Sequence, residues 1–356
     1  MKQSGRNYKR IVIKIGSSLL CADGVTPDVG VLQKICAQVS KLAQEGKEVV
    51  IVSSGAIAFG LHLLGLRSRP GELNKLQAAS AVGQNQLMEN YRRFFAKGVK
   101  SAQVLLTRED FNDRRRFLNA KNTLLELLKY KCVPVINEND AVSTEEIRFG
   151  DNDRLSALVA SLIAADLLII LSDVDGLLDK QRQVIRVVEE ITSQIKALAC
   201  PTKKMACAGG MITKLEAAKI AGDAGIPCVI ANGHKKDVLL SLAKEPEKKG
   251  TLFIHKKGLT AKRHWIAFGT KAKGKIIVDD GAKRALMNKK SLLSVGVVDC
   301  EGGFESGDIV GVTDIKKREF ARGKASISAA QLKKVRGQRF AKEIIHRDNI
   351  VILEEG

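Results

Sequence analysis

Residues 11–20 read IVIKIGSSLL, an apolar run that contains Lys14 and ends in the small residues GSS. Burying a lysine in such a run costs free energy unless its ammonium group meets an anion. A strand that ends in small residues also leaves backbone N–H groups open to a phosphate. The lysine precedes the glycine here, whereas it follows the glycines in the P-loop pattern G-x-x-x-x-G-K-[ST]. We predict a buried strand that delivers Lys14 to an anion, with a lysine on an exposed strand face as the alternative.

Apolar runs of the same kind recur along the first 240 residues and alternate with longer amphipathic segments. The runs are 10–15, 48–53, 103–106, 133–136, 167–171 and 227–231, and segments between them such as 28–45 and 75–97 are long enough for crossover helices. Near-continuous apolar strands are typical of a parallel sheet that is covered on both faces. The alternation therefore predicts an open α/β sandwich, in which ligands bind at the carboxyl ends of the strands.

After about residue 250 the pattern changes to short strand-like pieces separated by glycine. These pieces are 275–281, 295–303, 307–314 and 350–353, and helical pieces occur at 282–290 and 329–336. Short strands with Gly and Asp turns predict a small, mainly β barrel of roughly 80 residues. The basic stretch KAKGK (271–275) that precedes it is typical of a linker.

The composition is that of a globular protein, with 356 residues of which 45% are hydrophobic and 28% charged, enough for two domains. No apolar run approaches the roughly 20 residues that span a bilayer, and the polar start MKQSGRNYKR (1–10) does not resemble a signal peptide. The seven cysteines form no C-x-x-C pair, which favours reduced thiols over a disulfide framework or a zinc site. We therefore expect a soluble protein of the cytoplasm.

The positive charge is concentrated in the last third of the chain. The net charge is +20, and residues 251–356 contain 22 Lys and Arg against 12 Asp and Glu, which gives +10 in 106 residues. Residues 1–250 also carry +10, spread over more than twice that length. A basic proteome or an ordinary solvated surface is the favoured explanation of this charge, and nucleic acid as a partner is the alternative.

Acidic and amide side chains are dense in VPVINENDAVSTEEIRFGDNDRLSALVA (133–160). A buried strand leads into Asn137-Glu138-Asn139-Asp140, and Gly150-Asp151-Asn152-Asp153 precede the next helix. So many polar groups beside an apolar strand need partners, and a substrate ammonium, a metal or the lysines of the site would supply them. Ordinary turns built on Asn and Asp are the alternative.

Two further strand ends and one glycine turn that opens a helix complete the candidate site. They are VIVSSGAIAFG (50–60), LLIILSDVDGL (167–177) and AGGMITKLEAAKIAGDAG (208–225). The last opens a helix with two glycines and carries Lys214 in its first turns, an arrangement that suits a polyphosphate. None of the five histidines lies in these clusters, so a histidine base is not expected. Two lysines, glycine-rich helix starts and acidic groups together favour phosphoryl transfer.

Seven segments of the chain match the sequence motifs of a known family, and they occur in the order of that family. They are IVIKIGSSLL (11–20), VSSGAIAFG (52–60), LLTRED (105–110), NTLLELL (122–128), VPVINENDAV (133–142), GDNDRLSALVA (150–160) and GGMITKLEAA (209–218). Together they resemble the bacterial glutamate 5-kinases of the amino acid kinase family. The tail, in ARGKASISAAQLKKVRG (321–337) and EIIHRDNIVIL (343–353), is similar to a PUA domain. The resemblance implies an αβα sandwich of the amino acid kinase type at 8–262, a linker at 263–273 and a PUA domain at 274–355.

The resemblance also implies an activity: transfer of the ATP γ-phosphate to the side-chain carboxylate of L-glutamate, which is the first step toward proline. Mg²⁺ would accompany ATP, held by phosphate oxygens and water, with no metal ligand assigned to the protein. By motif position, the catalytic residues would be Lys14, Lys214 and Asp153, and the glutamate-binding residues Ser54, Asp140 and Asn152. The nucleotide would contact Lys14, Ser172, Asp173, Ala208, Gly209, Gly210, Met211, Ile212, Thr213 and Lys214. A tetramer and feedback inhibition by proline are further properties of the family.

Two departures from the family pattern fall beside the expected nucleotide. After residues 175–177 the family usually has a Tyr and an Asp-Pro element, whereas residues 178–181 here read LDKQ. Ala208 stands where a threonine is common. Two alternative functions stay open: a sibling amino acid kinase acting on acetylglutamate or another acid, and RNA binding through the basic tail.

Overall fold

A computed structural model of the protein describes residues 7–21, 23–142, 152–199, 210–254, 266 and 272–353. The chain divides into two compact units, residues 1–258 and residues 259–356. The sequence led us to expect a kinase domain at 8–262, a linker at 263–273 and a PUA domain at 274–355. These boundaries stay a prediction, and each unit is described by itself.

The described part of the first unit contains one mixed sheet of eight strands. They are β1 (Arg10–Ile15), β2 (Glu48–Val52), β3 (Lys100–Leu106), β4 (Cys132–Glu138), β5 (Leu167–Ser172), β6 (Val187–Val188), β7 (Cys228–Asn232) and β8 (Thr251–Phe253). Their order in the sheet is β3-β4-β2-β1-β5-β7-β8-β6. Six strands are parallel, as predicted, whereas β8 runs antiparallel to β7. The α/β fold class is confirmed, and the sheet is mixed at one edge.

Helices cover both faces of this sheet. They are α1 (Ser17–Leu20), α2 (Val29–Gln44), α3 (Ala56–Leu63), α4 (Leu73–Phe94), α5 (Arg108–Asn112), α6 (Arg114–Lys129), α7 (Asn152–Leu162), α8 (Ser193–Leu198), α9 (Met211–Asp223) and α10 (Val238–Leu242). Within the described ranges, no helix combines the length and the apolar character needed to cross a membrane.

Successive side chains of β1 point into two different hydrophobic cores. Ile11, Ile13 and Ile15 pack in the core that α2, α4 and α10 share, whereas Val12 packs in the core on the side of α7 and α9. Because side chains alternate along a strand, Lys14 lies on the same side as Val12. The strand therefore directs its single lysine toward α7 and α9.

Helices α3 and α4 cross at very close range. A Cβ atom added at Gly60 would lie 1.7 Å from the carbonyl oxygen of Ala79, and one added at Gly83 would lie 1.8 Å from that of Ala56. Two glycines therefore allow the two backbones to touch. This contact fixes the position of α4 relative to the strand end that precedes α3.

The second unit contains a five-stranded sheet and two helices among its described residues. The strands are β9 (Gly274–Val278), β10 (Val297–Gly302), β11 (Ile309–Thr313), β12 (Glu319–Lys324) and β13 (Ile350–Ile352), in the order β10-β9-β11-β12-β13, and the helices are α11 (Asp280–Met287) and α12 (Ala329–Val335). Ile276, Val312, Phe320 and Leu332 are central to its core. The mainly β character of this unit is confirmed. Strand β12 was not predicted, because charged residues interrupt its buried ones.

Candidate active site

The centre of the candidate site is a buried aspartate held between two lysines. Asp153 lies in the first turn of α7, Lys14 near the end of β1, and Lys214 in the first turn of α9. The Nζ atom of Lys14 is 2.7 Å from Asp153 Oδ1, and the Nζ atom of Lys214 is 3.2 Å from Asp153 Oδ2. All three predicted catalytic residues are thus brought together, and each carboxylate oxygen holds a different lysine.

The electrostatics of this centre favour an anion. Burial lowers the pKa of Lys14, and the charge of Lys214 lowers it further, although Asp153 opposes both effects. Burial would raise the pKa of Asp153, but the two lysines more than offset this and hold that pKa below its usual value. Two lysines face one buried carboxylate, and Asp173 at the end of β5 acts electrostatically on both lysines. Ammonium groups held away from water are stabilised by a ligand of opposite sign.

Residues at the start of α9 also contact the central aspartate. Thr213 Oγ1 lies 2.8 Å from Asp153 Oδ2 and 2.9 Å from the carbonyl oxygen of Gly210, so its single proton can be donated to either. Met211 and Ile212 form the first turn, whose backbone N–H groups lack partners within the helix. Of the segment predicted to bind nucleotide, residues 210–214 therefore adjoin the centre, whereas Ala208 and Gly209 lie outside the described residues.

On the other side of Asp153, the neighbouring Asn152 joins the ends of strands β2 and β4. Its Nδ2 atom donates to the carbonyl oxygen of Ser53 at 2.7 Å, to Ser54 Oγ at 3.1 Å and to Asn137 Oδ1 at 3.1 Å. All four residues are buried. Gly55, which follows Ser54, has a φ of +97°, a conformation that glycine adopts without strain and that lets the chain turn directly into α3. The predicted residues Ser54 and Asn152 thus lie in contact.

Asp140, the third residue predicted to bind glutamate, is held by helix α4. Ser80 donates from its hydroxyl to Asp140 Oδ2 at 2.9 Å. One turn further along α4, Gln84 Oε1 accepts a hydrogen bond from Asn137 Nδ2 at 2.9 Å. Sequence reasoning missed both α4 residues. The available signal was that two polar residues, spaced by four, occupy the face of α4 that otherwise buries Leu76, Ala79, Gly83 and Leu87.

The end of β5 supplies the predicted nucleotide-side residues Ser172 and Asp173. Asp173 Oδ1 accepts hydrogen bonds from the hydroxyls of Ser172 at 2.9 Å and Ser18 at 2.8 Å. Burial would raise the pKa of Asp173, but these two hydroxyls hold it below its usual value. Ser18 was not predicted as a site residue. Gly16 beside it approaches β5 closely, because an added Cβ would lie 3.0 Å from the carbonyl oxygen of Leu171.

The unusual LDKQ segment after β5 forms a tight turn. Asp179 Oδ1 accepts from the backbone N–H groups of Gln181 at 2.9 Å and Gln183 at 2.8 Å, and Leu178 pairs with Val184 across the turn. Such side-chain bonds to nearby backbone are the usual way in which Asp stabilises a turn. The departure from the family pattern therefore corresponds to a compact, self-bonded hairpin.

The arrangement can stabilise negative charge, and it offers little else in the way of reactive groups. In the described part of the chain, no three His, Cys, Asp or Glu side chains converge as they would around a metal ion. Two lysines fixed by one carboxylate suit charge that develops on an anion during a reaction, since their positions are set before the reaction begins. This is the requirement of phosphoryl transfer.

Comparison with protein families identifies both parts of the chain. The sequence profile of the Amino acid kinase family matches residues 9–232, which is more than half of the chain. The profile of the PUA domain matches residues 274–347. Lys14, Asp153 and Lys214 all lie within the first match.

Curated relatives match the chain from end to end. A protein named glutamate 5-kinase from Thermoanaerobacter sp. (strain X514) is 43% identical over 367 aligned residues, which cover 98% of this chain and 98% of the relative. One of the same name from Caldanaerobacter subterraneus subsp. tengcongensis is 44% identical with the same coverage. A third, from Dictyoglomus thermophilum, is 41% identical and covers 98% of this chain and 99% of its own.

A solved structure shares the fold at much lower sequence identity. N-acetylglutamate synthase from Neisseria gonorrhoeae superposes with a TM-score of 0.50 at 15% identity, over 79% of this chain and 66% of the other. This likeness concerns the fold alone. The profile matches and the full-length relatives go further: this chain belongs to the amino acid kinase family, in the group of its members named glutamate 5-kinase, and it carries a PUA domain after the kinase part.

Proposed function

We propose that this protein transfers the γ-phosphoryl group of ATP to the side-chain carboxylate of L-glutamate, yielding L-glutamyl 5-phosphate and ADP as the first step of proline biosynthesis. The observation that carries the proposal is the buried Lys14–Asp153–Lys214 centre, in which one carboxylate holds two lysines. The full-length relatives named glutamate 5-kinase support the choice of acceptor. Use of ATP follows from membership of a kinase family.

In the proposed reaction, a carboxylate oxygen of glutamate bonds to the γ-phosphorus as the bond from that phosphorus to the β–γ bridging oxygen breaks. The acceptor carboxylate is ionised at neutral pH, so no base has to remove a proton. This agrees with a centre made of two lysines and one aspartate. Lys14 and Lys214 stabilise the charge on the phosphoryl group in transit, and Asp153 orients both ammonium groups.

The groups around the centre divide into two sides. We assign Ser172, Asp173 and the start of α9 to the nucleotide, because helix N-terminal N–H groups favour phosphate oxygens. We assign Ser54, Asp140 and Asn152 to glutamate, with the Asp140 carboxylate as partner of the α-ammonium group. Mg²⁺ bound to the ATP phosphates would neutralise part of their charge, and a metal held mainly by phosphate and water needs few protein ligands.

Acyl phosphate trapping tests the proposal directly. With ATP, Mg²⁺ and hydroxylamine present, we expect hydroxamate to form from L-glutamate and not from aspartate, N-acetylglutamate or a blank without acid. An acetylated amine cannot form the ion pair with Asp140, which is why the acetylated acid is the sharpest control. Hydroxamate formed from N-acetylglutamate alone would mean that the protein has the same fold but the activity of the sibling kinase. No hydroxamate with any acid would contradict the proposal.

The value of kcat/KM should begin to fall at a lower pH than the ordinary pKa of a lysine would predict. Lys14 stabilises phosphate only while protonated, and burial holds its pKa below the ordinary value of 10.5, so kcat/KM should decline as pH rises through that lowered pKa. Profiles of kcat/KM against pH measure this limb, with circular dichroism at each pH to verify folding. The Lys14→Arg variant, which stays charged, should lack the limb. The same limb in that variant would contradict the assignment to Lys14.

Four further properties are proposed from the family resemblance alone. We propose a cytoplasmic location, a homotetramer, inhibition by proline and a regulatory or structural role for the PUA domain. RNA binding by this domain is kept as an alternative, because residues 251–356 carry a net charge of +10.

A further inference from the structure

Three buried amide side chains form a chain of hydrogen bonds beside the catalytic centre. Asn152 Nδ2 donates to Asn137 Oδ1 at 3.1 Å, and Asn137 Nδ2 donates to Gln84 Oε1 at 2.9 Å. Asn152 adjoins Asp153 in sequence, whereas Gln84 belongs to α4. The chain of amides therefore runs from the catalytic aspartate to the helix that also holds Asp140.

Backbone groups fix the direction of this chain. The carbonyl oxygen of Ser53 can only accept, so the Asn152 atom 2.7 Å from it must be the nitrogen. The backbone N–H of Glu138 can only donate, so the Asn137 atom 2.9 Å from it must be the oxygen. The Asn137 nitrogen therefore faces Gln84 and donates, so the Gln84 atom that accepts must be its oxygen. The nitrogen of Gln84 is left as the terminal donor.

This terminal donor is buried without a partner. Gln84 is 7% exposed, and within the described ranges of the chain its Nε2 atom makes no hydrogen bond. At the opposite end, Asn152 is 8% exposed and its Oδ1 atom has no partner among the same residues. Buried polar groups nearly always have partners, because an unsatisfied one loses its hydration without compensation. Donor and acceptor ends together suit a ligand that carries groups of both signs.

We propose that Gln84 is a specificity-determining residue that donates from Nε2 to the α-carboxylate of the amino acid substrate. This deepens the proposed function and rests on it. The side-chain carboxylate of glutamate has to meet Lys14 and Lys214, while Gln84 lies at the far end of the amide chain from Asp153. Asp140, the proposed partner of the ammonium group, is held by Ser80 one turn before Gln84, about 6 Å along the helix axis. Helix α4 thus carries Gln84 for the carboxylate and, through Ser80, holds the aspartate proposed for the ammonium group.

Two substitutions at Gln84 test whether its side chain donates a hydrogen bond to a carboxylate. We expect Gln84→Met to lower kcat/KM for glutamate about 10- to 100-fold, since a hydrogen bond to a charged group is lost. We expect Gln84→Glu to lower it at least as much at neutral pH, because two carboxylates would face each other, and to recover as pH falls, because a protonated Glu donates again. The KM for ATP should stay within about twofold. Gln86→Met and Gln86→Glu, two positions along the same helix, serve as matched controls.

Inhibition by two analogues separates recognition from a structural effect. Glutarate keeps both carboxylates, whereas 4-aminobutyrate lacks the α-carboxylate, so Gln84→Met should weaken inhibition by glutarate and leave that by 4-aminobutyrate unchanged. Equal weakening of both, or a Gln84→Glu variant that binds glutamate normally at neutral pH, would overturn the proposal. Where neither analogue inhibits the unaltered protein, the pH recovery of Gln84→Glu decides.

Failure of the Gln84 proposal can be distinguished from failure of the proposed function. Hydroxamate formation by the unaltered protein decides which acid is phosphorylated, and the Gln84 variants are compared with it on that acid. An unaltered protein that phosphorylates another amino acid would change the proposed substrate, and a pH-dependent loss in Gln84→Glu would still support the α-carboxylate contact. Melting curves verify that each variant is folded.

Discussion

Replacing Lys214 by alanine is expected to lower kcat about 10²–10³-fold while the protein stays folded. Lys214 lies 3.2 Å from Asp153 Oδ2 and supplies one of the two positive charges of the centre. An interaction that strengthens as charge develops on the phosphoryl group acts mainly on the chemical step, so kcat should fall more than the affinity for glutamate. Removing it also leaves Asp153 with Lys14 as its neighbouring cation, a pair of zero net charge that attracts phosphate less strongly.

Steady-state kinetics of hydroxamate formation measure this loss, and circular dichroism verifies the fold. Lys219→Ala is the matched control, because Lys219 lies on the same helix, five residues beyond Lys214, and is half-buried. We expect that variant to retain the activity of the unaltered protein. Near-normal turnover in a folded Lys214→Ala protein would remove Lys214 from the proposed mechanism.

Replacing Gly83 by alanine is expected to reduce the free energy of unfolding by about 3 kcal/mol, the upper end of the usual cost of overpacking. The added Cβ would lie 1.8 Å from the carbonyl oxygen of Ala56 and 2.3 Å from the backbone nitrogen of Gly60. Both are backbone atoms, so no side chain can rotate away to make room. Helices α3 and α4 would have to separate, and buried contacts along both would be lost.

Denaturant titration of both variants and the unaltered protein tests this expectation. Gly30→Ala is the control, since Gly30 is an exposed helical glycine whose added Cβ would come no closer than 3.4 Å to Asp28 Oδ1. That substitution should be neutral or stabilise by up to about 1 kcal/mol, as alanine favours helix more than glycine does. A loss below about 1 kcal/mol in Gly83→Ala would mean that the two helices do not touch as closely as described.

The main strands could be predicted because burial on both faces leaves an uninterrupted apolar run. The predicted run 10–15 coincides with β1, and 167–171 falls one residue short of β5. Strands without such a run were missed. Val187–Val188 and Thr251–Phe253 are too short to show any periodicity, and Glu319–Lys324 places charged residues between its buried ones. These strands depend on neighbours in the sheet that a local pattern does not reveal.

The candidate site could be predicted where its residues lie near or just after the end of a strand, or begin a helix. Lys14 and Asp153 belong to such positions, and the structure brings them to within 2.7 Å of each other. Ser80 and Gln84 lie in the middle of α4, so their approach to the β4 end depends on how α3 and α4 cross. That crossing results from packing between distant segments. The roles of all these residues stay predictions.

The Lys14–Asp153–Lys214 centre joins residues that lie far apart in the sequence. Its three charged residues come from positions 14, 153 and 214, so a chain that ends before the last of them cannot form it. Contacts of such long separation form late in folding, because the entropy of closing the intervening chain has to be overcome first. The proposed activity is therefore expected only from a chain that extends through Lys214, and a growing or truncated chain that stops earlier should show none of it.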